Sequence, residues 1–177
     1  MRWALLAACL WVASCGRPME VAEFAGAGPD FDPVRFFTGH VRSWGVMERS
    51  GQPTAIVTTD CMGEADGDAL RMTQTLRIGS DAPQVRRWVM RRTAPGRYEA
   101  TANDMVGTAT GEAAGRAYHW SWTLALPPGG LVRDVTLDQW WYLLDDGSML
   151  NRTRIRKLGV TVAEVTEHFA RVQPQQP

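Results

Sequence analysis

The sequence predicts an all-β protein built as an antiparallel sheet of about eight to ten strands of ordinary length. Three stretches carry that expectation. Asp134–Gly159, DVTLDQWWYLLDDGSMLNRTRIRKLG, reads as two long strands joined by the turn Asp145-Asp146-Gly147. Ala69–Ile78 alternates Leu70, Met72, Leu76 and Ile78 with Arg71, Thr73, Thr75 and Arg77, the period of a half-buried strand. Arg116–Leu126 places Tyr118, Trp120, Trp122, Leu124 and Leu126 on one face and His119, Ser121, Thr123 and Ala125 on the other.

Register within the long hairpin follows from charge. A three-residue loop with Gly147 left-handed sets Leu144 against Ser148 and Asp138 against Arg154. Val135, Leu137, Trp141, Leu143, Met149, Thr153 and Ile155 then share a face, while Asp134, Thr136, Asp138, Trp140, Tyr142, Arg152, Arg154 and Arg156 share the other. A two-residue loop mixes charge into the apolar face, so the three-residue loop is expected.

The chain opens on a leader. Met1-Arg2 is a short positive start, Trp3–Val12 is an apolar run too short to span a bilayer, and Val12-Ala13-Ser14-Cys15 closes it. Small residues before a cysteine after such a run resemble the lipobox of bacterial lipoproteins. The resemblance implies that residues 1–14 are a signal peptide and that Cys15 carries acyl chains, several of which make a stable membrane anchor. Its alternative is an ordinary signal peptide with Cys15 incidental. Gly16, rather than Asp, follows the cysteine, which in that class points to the outer membrane, with the domain facing the periplasm. Residues 15–30, rich in Gly and Pro, read as the lipidated N-terminus and a flexible tether.

The domain is expected over residues 31–172. It starts with one helical turn capped by Asp32 and begun by Pro33. His40–Glu48 follows as a strand with Trp44 and Val46 on one side and Val41, Ser43 and Met47 on the other. A helical turn, a glycine and a Trp-bearing strand are similar to the opening of lipocalins, although Val41 stands where their tryptophan does. Thr54–Cys61 is the next strand, and the acid-rich run Asp60–Asp68 reads as a solvated turn on Asp66-Gly67 rather than a calcium loop. Gln84–Thr93 reads as a strand packed at Trp88-Val89-Met90. Its arginines Arg86, Arg87, Arg91 and Arg92 are expected at exposed strand ends, with anionic lipid headgroups as the alternative. Arg97–Ala102 and Val106–Ala113 are short strands, where Gly107 and Gly111 mark bends or close backbone approach. Thr161–Phe169 fits a helical face at Val162, Val165 and Phe169, but its β-branched content favours a strand that closes the sheet. Residues 173–177 are expected to be a disordered tail.

The order of Asp104–Gly111, His119-Trp120, Leu124–Pro127, Trp140, Tyr142-Leu143, Asp145-Asp146, Leu150–Arg152 and Gly159 through Glu164–Thr166 resembles an uncharacterised family of Gram-negative lipoproteins known only as a domain of unknown function. The resemblance runs from about Phe31 to Phe169 and implies a lipobox, in line with Cys15, and a lipocalin-like (calycin-type) β-barrel. It carries no activity, ligand or catalytic residue.

Composition narrows the function. Nineteen basic and nineteen acidic residues leave no net charge, which disfavours a nucleic-acid partner. His40, His119 and His168 are scattered, so no metal site and no cofactor are assigned. Gly-x-Ser-x-Gly and phosphate-loop patterns are missing, and Asp145 and Asp146 belong to a turn, so no catalytic residue is assigned either. Cys61 reads as a small buried hydrophobe. The unusual feature is tryptophan: of eight, Trp3 and Trp11 fall in the leader and six remain in the domain. Trp44, Trp88, Tyr118, Trp120, Trp122 and Trp141 are the ligand-pocket candidates. The expected function is a membrane-anchored, non-enzymatic binding module for a lipid or other hydrophobic small molecule. The alternative is a filled barrel that presents Trp140 and Tyr142 to another envelope component, and an enzyme is the third reading. An open or a plugged interior separates the first two.

Overall fold

A computed structural model describes residues 17–127 and 134–173. The leader, Cys15, the Pro128–Gly130 end of one connection and most of the C-terminal tail lie outside the described residues. Among the described residues ten antiparallel strands form a closed barrel: β1 (Gly39–Arg49), β2 (Gln52–Asp66), β3 (Ala69–Ile78), β4 (Gln84–Ala94), β5 (Arg97–Ala102), β6 (Met105–Ala114), β7 (Ala117–Ala125), β8 (Asp134–Leu143), β9 (Met149–Lys157) and β10 (Val160–Arg171). Each strand pairs with its sequence neighbours, and β10 returns to β1 through a register that sets Ser43 against Phe169 and Met47 against Val165. Closure removes every sheet edge that could recruit another chain. It also answers the helix–strand ambiguity at the C-terminus in favour of the strand. Once β1 and β9 offer open backbone on both sides, the β-branched run Val160–Thr166 satisfies its amides there.

The long hairpin adopts the register argued from charge. Asp138 faces Arg154, the Leu144 N–H donates to the Ser148 carbonyl at 2.8 Å, and Gly147 has φ 78°. That left-handed turn favours glycine. Asp146 Oδ1 accepts from the Ser148 backbone N–H at 2.9 Å and tightens the loop.

Two readings need correction. The acid-rich run after Cys61 is mostly strand: β2 continues to Asp66, which pairs with Ala69, and only Gly67 and Asp68 turn. Its alternation is real, because Val57, Thr59, Cys61 and Gly63 point inward while Met62 and Glu64 face solvent. Arg86 is not at an exposed strand end either. It shares the inward parity of Trp88 and Met90 and is only 7% exposed.

One end of the barrel is closed by α1 (Pro33–Phe37), whose first N–H groups are capped by Asp32, with Val34 N donating to Oδ1 at 3.0 Å. Phe31, Phe36 and Phe37 are buried there against Tyr118, Trp141 and Phe169. The described part of the expected tether is largely exposed and touches the barrel wall locally. Val21–Phe24 forms a 3-10 turn, and the Phe24 ring lies 5.8 Å from Tyr142 and 6.3 Å from Trp140 on the outer wall.

Candidate functional site

The opposite end of the barrel opens into a cavity of about 720 Å³. Strand parity builds its wall. Trp88 comes from β4, Trp120 and Trp122 from β7 and Trp141 from β8, each at a buried position of its strand. The indoles pack on one another: Trp88 lies 5.2 Å from both Trp120 and Trp122, and Trp120 lies 5.1 Å from Trp141. They are tilted or edge-to-face, and such packing leaves the rest of the barrel unfilled.

Four of the six aromatic candidates therefore line the cavity, and two do not. Trp44 is 51% exposed on the outside of β1, with the Arg42 guanidinium 5.7 Å from its ring. The inward positions of β1 belong to Val41, Ser43 and Met47, so Trp44 is carried outward by parity, whatever its bulk. Tyr118 is fully buried but lies below the cavity, towards α1. There it stacks on Trp141 at 4.7 Å and meets Tyr98 and Phe31 edge-on. Gly111 makes room for it, since a Cβ at that position would come within 2.0 Å of the Tyr118 hydroxyl oxygen.

Polar side chains divide the cavity into zones that the sequence did not disclose. Near the mouth, Arg86 Nε donates to both carboxylate oxygens of Asp104 at 2.7 and 2.9 Å. Its guanidinium sits 4.7 Å from the Trp122 ring centre and 5.5 Å from that of Trp88. Asp104 belongs to the β5–β6 turn, and its charge compensates an arginine that would be costly to bury alone.

Further in, the wall carries Glu167, 7% exposed, on β10. Its Oε1 accepts from Ser43 Oγ at 2.7 Å and Thr59 Oγ1 at 2.9 Å, and its Oε2 accepts from Asn151 Nδ2 at 3.0 Å. Burial nevertheless pushes the carboxyl above the ordinary glutamate value, with the three hydrogen bonds opposing the shift. Glu167 is therefore biased towards its neutral form. The polar strip continues from Asn151 to Thr153, from Thr153 to Gln139 at 2.8 Å, and from Gln139 to Trp122 Nε1 at 2.6 Å. Trp88 Nε1 donates to Gln74 at 2.9 Å. Trp120 Nε1 is the exception: it is buried without a partner among the described residues.

The histidines lie away from this site. His40 pairs with Asp60, His119 pairs with Asp138 while stacking on Trp140 at 4.3 Å, and His168 meets Ser148 Oγ. Cys61 is buried, and desolvation and the nearby Glu167 push its thiol far up, which makes it an inert core residue.

Arg86 and Glu167 were missed because an isolated charge in a strand ordinarily faces water. A signal existed. Each has the parity of apolar neighbours, Trp88 and Met90 for Arg86, Val165 and Phe169 for Glu167.

The sequence matches the family described as protein of unknown function DUF3833 over residues 9–171, in keeping with the resemblance carried by the second half of the chain. A search of curated proteins gives no match. Among solved structures, the S-type phycobiliprotein lyase CPES from Guillardia theta is similar at a TM-score of 0.54 and 8% identity, over 81% of this chain and 92% of that one. Such a likeness speaks to the fold alone: a lipocalin-like barrel.

Proposed function

The chain belongs to the DUF3833 family, and we propose that it is a lipid-anchored envelope protein whose barrel holds an apolar or amphipathic small molecule without transforming it. One observation carries the reading. An interior furnished with four indoles still leaves about 720 Å³ open, a volume in the range of small-molecule sites. A barrel meant only to be stable would fill that space, because each void in a core forfeits packing.

The alternative reading loses its surface. Trp140, offered as an outward docking residue, is buried beneath Phe24 of the chain's own N-terminal segment. Enzymatic chemistry finds little footing in the wall. The hydroxyls of Ser43 and Thr59 are bound to Glu167, and neither residue lines the cavity. Arg86 and Asp104 satisfy each other. The anchor and the outer-membrane location rest on the Val12–Cys15 lipobox resemblance.

The test is to extract the protein in its native membrane with mild detergent and identify small molecules that co-purify by mass spectrometry. Titration of the emptied protein with fatty acids and phospholipids, read by tryptophan emission, accompanies it. A stoichiometric companion or a saturable change in emission is expected. No companion and unchanged emission would return the barrel to a purely structural role.

A further inference from the structure

The wall that β3 and β4 share is tiered. From the mouth towards the floor, the register pairs Leu76 with Gln84, Gln74 with Arg86, Met72 with Trp88 and Leu70 with Met90. Phe37 of α1 lines the same cavity from below. The Gln74–Arg86 tier therefore stands near the mouth, above apolar wall that runs about 13 Å from Arg86 to Met90.

The polar groups around the cavity differ in what they have left to give. Glu167 spends both oxygens on Ser43, Thr59 and Asn151. The Trp88 and Trp122 N–H groups donate to Gln74 and Gln139. Tyr118 Oη and Trp120 Nε1 have no partner among the described residues, but both are sealed from water-sized contact and so from a ligand. Arg86 differs from all of these. Asp104 balances its charge, yet both carboxylate oxygens bind the same nitrogen, Nε. The Nη1–Nη2 edge has no acceptor among the described residues, and neither nitrogen is sealed in the way Trp120 Nε1 is. The Trp122 and Trp88 rings, 4.7 and 5.5 Å from the guanidinium carbon, hold the group in place. Opposite it on β3, Gln74 accepts from Trp88 through Oε1, which leaves its Nε2 as a second donor without a partner among the described residues.

Unspent donors at one tier call for an acceptor with more than one oxygen. A free guanidinium edge matches a carboxylate or a phosphate through two parallel N–H···O bonds. Among the described residues Arg86 is the one basic side chain that lines the cavity. Resting on the reading of the barrel as a binding module, we propose that the Nη edge of Arg86, with Gln74 opposite, is its head-group site. The ligand is an apolar chain that ends in an oxyanion, a carboxylate or a phosphate. It enters tail first, lies along Met72, Trp88, Leu70 and Met90, and leaves its charged end at the mouth. Asp104, on the Nε side, fixes the guanidinium and at the same time tempers its pull on the anion.

The full chain carrying Cys15→Ser, so that no acyl group of its own competes, is titrated at pH 7.5 with octanoate, octyl phosphate and methyl octanoate. Affinity is read by tryptophan emission. The ester is the more apolar probe, so a cavity without a head-group site would prefer it. At least one oxyanion is expected to bind at least tenfold more tightly than the ester, and which of the two does so identifies the head group. Asp104→Asn keeps an acceptor for Nε and should raise the ratio of oxyanion to ester affinity threefold or more. Arg86→Met combined with Asp104→Asn should bring that ratio to one or below. Should the double variant fail to fold, the wild type and Asp104→Asn decide by themselves. The inference is overturned, with the binding module left standing, by an ester that binds as tightly as both oxyanions or by a ratio that Asp104→Asn leaves unmoved. Phospholipid binding without binding of either oxyanion overturns it as well. If neither these probes nor the fatty acids and phospholipids above bind, the binding module itself fails and the inference falls with it.

Discussion

At the scale of single residues, the interior is set by strand parity, and charge does not override it. Glu167 shows the energetic consequence. Its carboxyl titrates above the ordinary value of 4.5 because the folded barrel desolvates it. Between that value and its folded-state pKa the unfolded chain has lost a proton that the native protein still holds. Stability therefore falls as pH rises through this window, by at most about 1.4 kcal/mol per pH unit. Glu167→Gln has no such proton, so its urea-unfolding midpoint should lack the part of the pH slope that the wild type shows. Identical slopes in the two proteins would mean that Glu167 is ionised in the fold. Parity also explains which tryptophans were legible. Trp120 and Trp122 alternate with polar neighbours and Trp141 shares the apolar face of the long hairpin, so their inward direction was legible, whereas Trp88 sits between Arg87 and Val89 in a run read only as packed at its centre. Trp44 was enlisted for its size, although Val41, Ser43 and Met47 already claimed the inner face of its strand. No sequence pattern announces that Asp104, eighteen residues from Arg86, will neutralise it across two turns of the sheet.

At the scale of elements, local chemistry was readable wherever a turn or a cap had one solution. Asp32-Pro33 opens a helix and Asp145-Asp146-Gly147 closes a hairpin with the expected register. Packing between elements was less readable, because it depends on what a third element places nearby. Phe24 sits in a Gly-rich stretch with no period, yet it finds the outer aromatics Trp140 and Tyr142. Gly111 was marked as a bend or a close approach, and it is the second, a slot in β6 filled by the Tyr118 ring from β7. Tyr118 is held by Phe31, Tyr98, Trp120 and Trp141 and has nowhere to retreat. Gly111→Ala should therefore cost about 1–3 kcal/mol in chemical denaturation. The double variant Gly111→Ala/Tyr118→Phe should recover part of that loss by removing the colliding oxygen. A neutral Gly111→Ala would mean that β6 and β7 can separate there.

At the scale of the whole molecule, a closed barrel with a floor has one mouth, and the N-terminal segment bears on where that mouth can be. Phe24 pins the segment to the outer wall over β8, at Trp140 and Tyr142. From Cys15 to Phe24 is nine residues (24 − 15), a reach of at most about 30 Å when extended. If Cys15 carries acyl chains, the barrel is held within that distance of the bilayer, and an amphipath leaving the membrane for the cavity crosses a short gap. The same arrangement would separate anchoring from folding, because the described contact that pins the segment is made by Phe24, nine residues past the cysteine. Cys15→Ser should therefore abolish labelling by radioactive acyl precursors and move the protein from the membrane to the soluble periplasmic fraction. Its far-ultraviolet circular dichroism should stay that of an antiparallel sheet, and its lipid-induced change in tryptophan emission should persist. Retention of the variant on membranes with labelling intact would dispose of the lipobox reading. Release accompanied by loss of the β spectrum would show instead that the anchor, and with it the N-terminal segment, is needed for the barrel to close.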